Sequence, residues 1–338
     1  MGVVRRSRLA LAALLVGSLC IATFLGEAAL SVYVLLLLSA IVTVGISLLM
    51  GHAGQVSLGH GAFYACGAYM AGITATNGYP ALLGLLLAPL AAAVLAAVVG
   101  VPLLLLRGHH LAFGTLAMHI IFLSLIGEMT ITGGDVGMMG IPRLQVGPIQ
   151  LDSIRSYAYL SCFALVGVVL VTRNVLSSRP GRALRALSSS EVAAAASGVP
   201  VSRYKLAVFA LSAAFAGLAG GIYAFHMGYL APGSFPVLVS IEYVVMAVVG
   251  GLGRSSGALI GSTVVLLLVD ALSRLATMSG MPSSAPVVLS YAVYAVLLVL
   301  AVLFLPRGLV SVLASLTKKR ERHGRVPSSE RMMVRPGE

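Results

Sequence analysis

The chain has 338 residues, of which 59% are hydrophobic and 9% are charged, and its formal net charge is +12. A soluble domain has about 25% charged residues, so this composition excludes a soluble globular protein. The abundance of apolar side chains excludes an intrinsically disordered one. The basic residues form blocks at the ends of apolar runs, which argues against a nucleic-acid partner and favours the cytoplasmic segments of an integral membrane protein.

Apolar runs long enough to cross a bilayer recur along the whole chain. A helical span needs about 20 apolar residues, and these runs are continuously apolar rather than alternating, which excludes a β-barrel. The sequence therefore predicts an all-α, polytopic transmembrane helical bundle of about ten spans. The predicted spans are 9–25, 29–50, 61–77, 80–106, 110–132, 157–172, 206–226, 239–252, 256–273 and 287–305.

The first run follows the basic residues Arg5, Arg6 and Arg8, an arrangement that a secretory signal peptide shares. We interpret residues 9–25 as a retained first span, because bulky Leu19 stands where a cleavage site needs a small residue. The sequence thus predicts one transmembrane domain over residues 1–317. A basic cytoplasmic tail without ordered structure is predicted for residues 318–338.

The distribution of positive charge predicts the orientation. With the N-terminus inside and ten alternating spans, all but three of the 22 basic residues fall on the cytoplasmic side. The exceptions are Arg143, Arg155 and Arg274. The positive-inside rule then places both termini in the cytoplasm.

Glycine clusters interrupt two of the apolar runs, at residues 51–61 and at residues 250–257. Two interpretations are open. Glycine allows helices to pack closely, and glycine-interrupted helices in corresponding halves of a chain also mark transport sites. The second interpretation predicts broken helices along a translocation path. Its candidate residues are Gly54, Gln55, Ser57, Gly250, Gly251 and Gly253.

The longest predicted cytoplasmic loop, residues 173–205, contains a segment that is too short and too polar to span. Residues 183–198 are rich in alanine and end at Gly198 and Pro200, a helix stop signal. The sequence predicts one short cytoplasmic helix here. We expect Arg182, Arg185 and Glu191 to be exposed on it.

Catalytic and cofactor motifs are missing from the sequence. No phosphate-binding loop is present and no histidine–cysteine cluster resembles a metal site. Ser57 and His60 are three residues apart, which suggests an intramembrane hydrolase, but no GxSxG surrounds Ser57, and a helix-capping role is the better interpretation. We therefore predict no catalytic residue, no metal and no cofactor bound by this chain.

Ionisable residues inside predicted spans are costly and are therefore candidates for function. Glu128 and Glu242 lie near span ends, where an interfacial position explains them. Asp270 and Arg274 are four residues apart and are predicted to form an ion pair on one helix face. His119 lies in mid-span, and we interpret it as a hydrogen-bonded core histidine.

These motifs resemble the membrane permease subunits of branched-chain amino acid ABC importers, of the LivM rather than the LivH type. The resemblance covers residues 30 to 310 in order. It rests on the segments 51–63, 67–69, 111–116, 132–137, 181–186, 204–205, 211–213, 216–220, 234–235, 240–242, 249–253 and 306–309, together with Gly198. The sequence departs from the family pattern at 108–110 and at 188–190.

The resemblance implies that the short cytoplasmic helix docks into an ATPase subunit. Its coupling residues would be Arg182, Arg185, Glu191, Ala194 and Gly198, of which the last three match the acidic-alanine-glycine pattern of the family. The resemblance further implies a second, LivH-like permease, two ABC ATPases that bind ATP and Mg²⁺, and an extracytoplasmic solute-binding protein as partners. It also implies a location among the lipids of a bacterial inner membrane.

Two functions therefore remain open from the sequence. The first is a permease subunit of an ATP-driven importer for branched-chain amino acids or a related small polar solute such as urea or an amide. The second is a self-sufficient secondary transporter or channel. The predicted docking helix, and the lack of a carboxylate in mid-span, favour the first.

Overall fold

The computed structural model describes residues 15–106, 108–146 and 149–276, together with five isolated helical positions between 292 and 299. It is almost entirely helical, which confirms the all-α prediction, and its only described strands are four pairs of residues in loops. The helices are α1 (Leu15–Phe24), α2 (Glu27–Ala53), α3 (His60–Thr76), α4 (Ala81–Leu103), α5 (His109–Glu128), α6 (Ile154–Ser177), α7 (Arg179–Ser189), α8 (Glu191–Ala196), α9 (Val201–Met227), α10 (Val237–Gly250) and α11 (Ser255–Ala276).

Seven helical segments in the described part of the chain are long and apolar enough to cross a membrane, namely α2, α4, α5, α6, α9, α11, and α10 together with the turn before it, from Pro232 onward. The chain is therefore a multi-pass membrane protein. Helix α3, of 17 residues, and the described part of α1 coincide with two further predicted spans. Of the predicted span 287–305 only the five isolated helical positions are described, and the tail 318–338 lies outside the described residues, so the count of ten stays a prediction.

Helix α3 is largely buried in the bundle, where it packs against α9 and α4 and also contacts α5 and α10. Small residues make this packing possible. A Cβ on Gly67 would lie against the backbone of Gly217 in α9, and a Cβ on Gly220 would collide with the carbonyl oxygen of Tyr64 in α3. The two helices thus touch backbone to backbone, and helices without hydrophobic driving force in lipid associate through such close van der Waals contact.

Short strands and loops gather at one end of the bundle. Strand β1 (Met138–Met139), after α5, pairs antiparallel with β4 (Tyr229–Leu230), after α9. The Tyr229 hydroxyl donates to the carbonyl oxygen of Val136 over 2.8 Å. Strands β2 (Gln145–Val146) and β3 (Ile149–Gln150) form a separate hairpin in the same loop. This end is the loop-rich end.

The opposite end carries α7, α8, the α2–α3 link, the α4–α5 turn and the α10–α11 link. The sequence predicts a single helix over 183–198 in the segment expected to be cytoplasmic, and this is wrong, because two helices are present. Helix α7 begins earlier, at Arg179, and the helical conformation is interrupted at Ser190. The Ser190 hydroxyl accepts a hydrogen bond from the Ala193 amide at the start of α8, and serine at such an N-cap position favours a new helix over continuation of the old one.

One face of α4 is exposed along its whole length. Residues at four-residue spacing lie on one helix face, and here they are all apolar and exposed: Leu82, Leu86, Leu90, Val94 and Val98. A surface of this kind is stable against lipid tails or against another apolar helix.

Candidate functional site

The link between α2 and α3 is the first of the two predicted helix breaks. Gly54 ends α2 in the left-handed conformation, with φ at 64°, and residues 54–59 are not helical. Alternate residues of the link are nevertheless buried, since Gln55 is 3% exposed and Ser57 is 1% exposed, whereas Val56 is 39% exposed. A buried, irregular backbone in a membrane protein is tolerated where the protein itself supplies hydrogen-bond partners or a cavity.

Side chains from two other helices supply those partners. The Leu58 amide donates to Thr115 Oγ1 of α5 over 2.9 Å, and the Gly61 amide donates to Ser240 Oγ of α10 over 2.8 Å. The first four amides of a helix have no partner within the helix. Ser240 provides an acceptor for the Gly61 amide in the first turn of α3, and Thr115 provides one for the Leu58 amide just before the helix. This local need explains why hydroxyl side chains occur inside apolar spans.

The histidines near the link belong to the same network. His119 Nδ1 lies 3.0 Å from Ser240 Oγ, and His119 is fully buried, which confirms its interpretation as a hydrogen-bonded core histidine. His60 Nε2 lies 2.7 Å from Ser212 Oγ of α9. Ser57 Oγ accepts from the Gly59 amide at 3.4 Å, so Ser57 pairs with backbone and His60 with another serine, which argues against a hydrolase pair. The capping interpretation of Ser57 is nevertheless wrong, because Gly59 is the N-cap residue of α3 and no side chain caps this helix.

The second predicted break, between α10 and α11, lies against the end of α2. Gly251 and Gly253 have φ values of 109° and 78°, a region that favours glycine. The Gly253 amide donates to Ser47 Oγ of α2 over 3.0 Å, and a Cβ on Gly51 would collide with the Gly253 backbone. The two glycine clusters therefore meet in space.

Glycines in the two clusters occupy different surroundings. At Gly51 and Gly250 the neighbouring backbone leaves no room for a Cβ, which favours close helix packing, whereas a Cβ on Gly253 would make only ordinary contacts at 3.4 Å or more. A Cβ on Gly54 would meet no atom within 4 Å, and Gly54 lines a cavity together with Gln55. Of the path candidates, Gly54 and Gln55 thus border this cavity, whereas Ser57 lies in the buried network.

Helices α7 and α8 form the segment for which the family resemblance implies docking into an ATPase. Arg185 Nη1 donates to the Leu176 carbonyl oxygen over 2.6 Å and so ties α7 to the end of α6. Arg182 is exposed. Gly198 has φ at 80° and ends α8, while the Val199 amide donates to the Ala194 carbonyl oxygen over 3.1 Å. Only glycine adopts this helix-ending conformation without strain.

Within α8, the side chains divide between the protein and its surroundings. Ala194 is 2% exposed and packs against the core of this chain, whereas Val192 is 81% exposed. Two residues apart on a helix lie on opposite sides, because each residue turns the chain by about 100°. Val192 is therefore the largest apolar side chain that α8 presents outward, and the sequence reasoning had not selected it.

The exposed carboxylate of Glu191 has a partner that the sequence reasoning also missed. Lys205 Nζ in the first turns of α9 lies 2.7 Å from Glu191 Oε2. The two are 14 residues apart with a helix break between them, so no helical spacing signals the pair. The Asp270–Arg274 pair on α11, which does follow helical spacing, has an Nε–Oδ2 distance of 2.8 Å, as predicted.

A cavity of about 310 Å³ lies beside this ion pair. Three parts of the chain enclose it: the α2–α3 link, the α4–α5 turn, and the start of α8 and α9. Its lining residues are Gly54, Gln55, Leu104, Leu105, Leu106, Gly108, Leu111, Glu191, Val201, Ser202 and Lys205. The cavity thus joins the predicted break in the path to the predicted coupling segment.

Comparison with known proteins agrees with this architecture. Residues 28–302 match the family described as the permease component of a branched-chain amino acid transport system. The high-affinity branched-chain amino acid transport permease LivM of Salmonella typhimurium is 31% identical over 292 residues, which cover 78% of this chain and 68% of the relative. The LivM of Escherichia coli is 30% identical over the same coverage.

A more distant relative is the probable branched-chain amino acid transport permease LivH of Methanocaldococcus jannaschii. It is 29% identical over 164 residues, which cover 46% of this chain and 50% of the relative. No solved structure matches the chain significantly.

The bundle, the buried irregular link and the cavity beside it define a polytopic transport protein of the α-helical class. The chain belongs to the family of permease components of branched-chain amino acid transport systems. It is accordingly the permease subunit of an ABC importer, a transport subunit and not an enzyme.

Proposed function

We propose that this permease subunit carries branched-chain amino acids, or a related small polar solute, and that ATP hydrolysis in partner subunits drives it through α8. The observation that carries the proposal is the exposed tip of α8, where Glu191 and Val192 face outward while Ala194 anchors the helix to the chain. The family membership supports the solute class, since its members are named for that transport.

The partners follow from the class. The proposed assembly contains a second, LivH-like permease, two ABC ATPases and an extracytoplasmic solute-binding protein. ATP and Mg²⁺ are expected in the ATPases, because this sequence has no phosphate-binding loop. The exposed apolar face of α4 is suited to lipid or to the second permease.

Helix α8 is connected to the centre of the bundle through stiff elements. It is followed after four residues by α9, and α9 packs along α3 and α4. Ser212 of α9 is hydrogen-bonded to His60 at the start of α3. A displacement of α8 by closing ATPases would therefore move α9 and the buried link together, as rigid-body rocking of packed helices.

The proposed orientation has the α7–α8 end in the cytoplasm and the loop-rich end outside. It is supported by the charge distribution and by the gathering of the predicted inner segments at one end of the bundle. A reporter fused within 179–203 should show a cytoplasmic location, and a reporter fused within 133–153 should show an external one. The opposite pattern would refute the orientation.

The composition of the purified assembly tests the proposed function. A tag on the full-length chain, expressed with its neighbouring genes, should recover two ATPases and a second permease in detergent. Recovery of the chain alone, in a form that transports solute by itself, would favour the secondary-transporter alternative.

A further inference from the structure

The cavity beside the Glu191–Lys205 pair has a chemical character that its size and lining define. About 310 Å³ falls at the small end of the range for small-molecule sites, which is roughly 300–1,000 Å³. Such sites combine apolar walls with a few polar groups that fix orientation. Here Leu104, Leu106 and Leu111 from the α4–α5 region form an apolar wall within a lining that is otherwise mostly polar.

Two of the lining side chains carry opposite charges and form an ion pair. Glu191 offers a carboxylate and Lys205 an ammonium group, 2.7 Å apart at their closest atoms, and Glu191 is more than half exposed. Lys205 is 21% exposed, so the pair is partly open to solvent, and ion pairs in contact with solvent contribute only modestly to stability. A ligand that brings both an ammonium and a carboxylate group can therefore replace each partner at small cost.

A third polar group in the lining has no partner. Gln55 Oε1 is buried and accepts no hydrogen bond within the described part of the chain. Buried polar atoms nearly always have a partner, and a ligand ammonium group in the cavity would supply one. Gln55 and Glu191 thus both offer acceptors for the ammonium group of a ligand.

The start of α9 complements the other half. Val201 and Ser202, its first two residues, line the cavity, and Pro200 gives the helix no side-chain cap. Helix N-termini attract anions through their free amides and their dipole. A ligand carboxylate is therefore favoured near α9, where Lys205 also lies.

We propose that this cavity is a binding site for a zwitterionic α-amino acid with an apolar side chain. The ligand carboxylate binds Lys205 and the start of α9, and the ligand ammonium group binds Glu191 and Gln55. The apolar side chain of the ligand packs against the leucine wall. This inference rests on the proposed transport of amino acids. In the proposed orientation the site lies on the cytoplasmic side, between the helix break and α8. A solute that leaves the path there meets the coupling segment directly.

Calorimetric titration of leucine into the full-length chain tests the proposal. The chain is held in lipid nanodiscs with the subunits that co-purify and without the solute-binding protein. Leucine should bind. Isoamylamine, which lacks the carboxylate, 4-methylpentanoate, which lacks the ammonium, and glycine, which lacks the apolar side chain, should each bind at least about tenfold more weakly.

Variants identify the site. Lys205→Gln and Gln55→Leu should each weaken leucine binding at least about tenfold, whereas Lys205→Arg should retain it. Asp270→Asn is the matched control, because it removes a carboxylate from the ion pair on α11, which is not among the cavity's lining residues. Gel filtration reports folding, and if Lys205→Gln aggregates, Gln55→Leu decides, since it changes volume little.

Three results would overturn the proposal: no leucine binding up to its solubility limit, equal binding by Lys205→Gln and the unaltered chain, or equal binding of leucine and 4-methylpentanoate. The proposed function fails by a different result. Its failure appears as missing ATPases in the purified assembly, which is measured on the same sample before the titration.

Discussion

Replacing Gly67 with valine is expected to prevent accumulation of the folded protein. A Cβ at this position would occupy the place of the Gly217 backbone in α9, so the side chain cannot be accommodated by rotation. The central α3–α9 pair must separate, at a cost of at least about 3 kcal/mol, the upper part of the range for overpacking. Protein level in the membrane and the gel-filtration profile in detergent measure the effect.

Gly167→Val is the matched control. Gly167 also lies within a predicted span, in α6, yet a Cβ there meets nothing within 4 Å. The same substitution should therefore leave the protein level unchanged. Equal accumulation of the Gly67→Val protein would show that α3 and α9 do not touch as described.

Replacing Val192 with lysine is expected to abolish ATP-driven uptake while the protein stays folded. Val192 is 81% exposed, so the substitution should change the unfolding free energy by no more than about 0.5 kcal/mol. A lysine ammonium facing an apolar docking cleft is costly to desolvate. Uptake and ATPase co-purification should both fall at least about tenfold, as for the loss of a central interface residue.

The control for this change is Val136→Lys at the loop-rich end. Val136 is 70% exposed, so the side chain and its exposure are similar, but it lies on the opposite end from α8. It should leave co-purification of the ATPases intact. Normal co-purification and uptake by the Val192→Lys protein would place the coupling contact elsewhere.

Hydropathy alone locates most of the bundle. Nine of the ten predicted spans coincide with described helices, because a run of apolar residues without alternation has no other stable form in a bilayer. The helical spacing of Asp270 and Arg274 likewise predicts their ion pair, which the structure confirms. Both inferences depend on neighbours in sequence.

Features that depend on tertiary contacts could not be predicted from the sequence. The break at Ser190 was missed because an alanine-rich segment favours one continuous helix, and only the capping hydrogen bond shows the second start. Which side of α8 faces outward depends on the burial of Ala194 against the core. The pairing of Glu191 with Lys205 requires the turn between α8 and α9, which no periodicity encodes.

Transport by the purified assembly tests the central claim most directly. Proteoliposomes that contain this chain, the second permease and the ATPases should accumulate leucine when ATP and Mg²⁺ are supplied on the side of α8 together with solute-binding protein on the other side. They should not respond to a proton or sodium gradient without ATP. Leucine uptake by the chain alone, driven by such a gradient, would contradict the account.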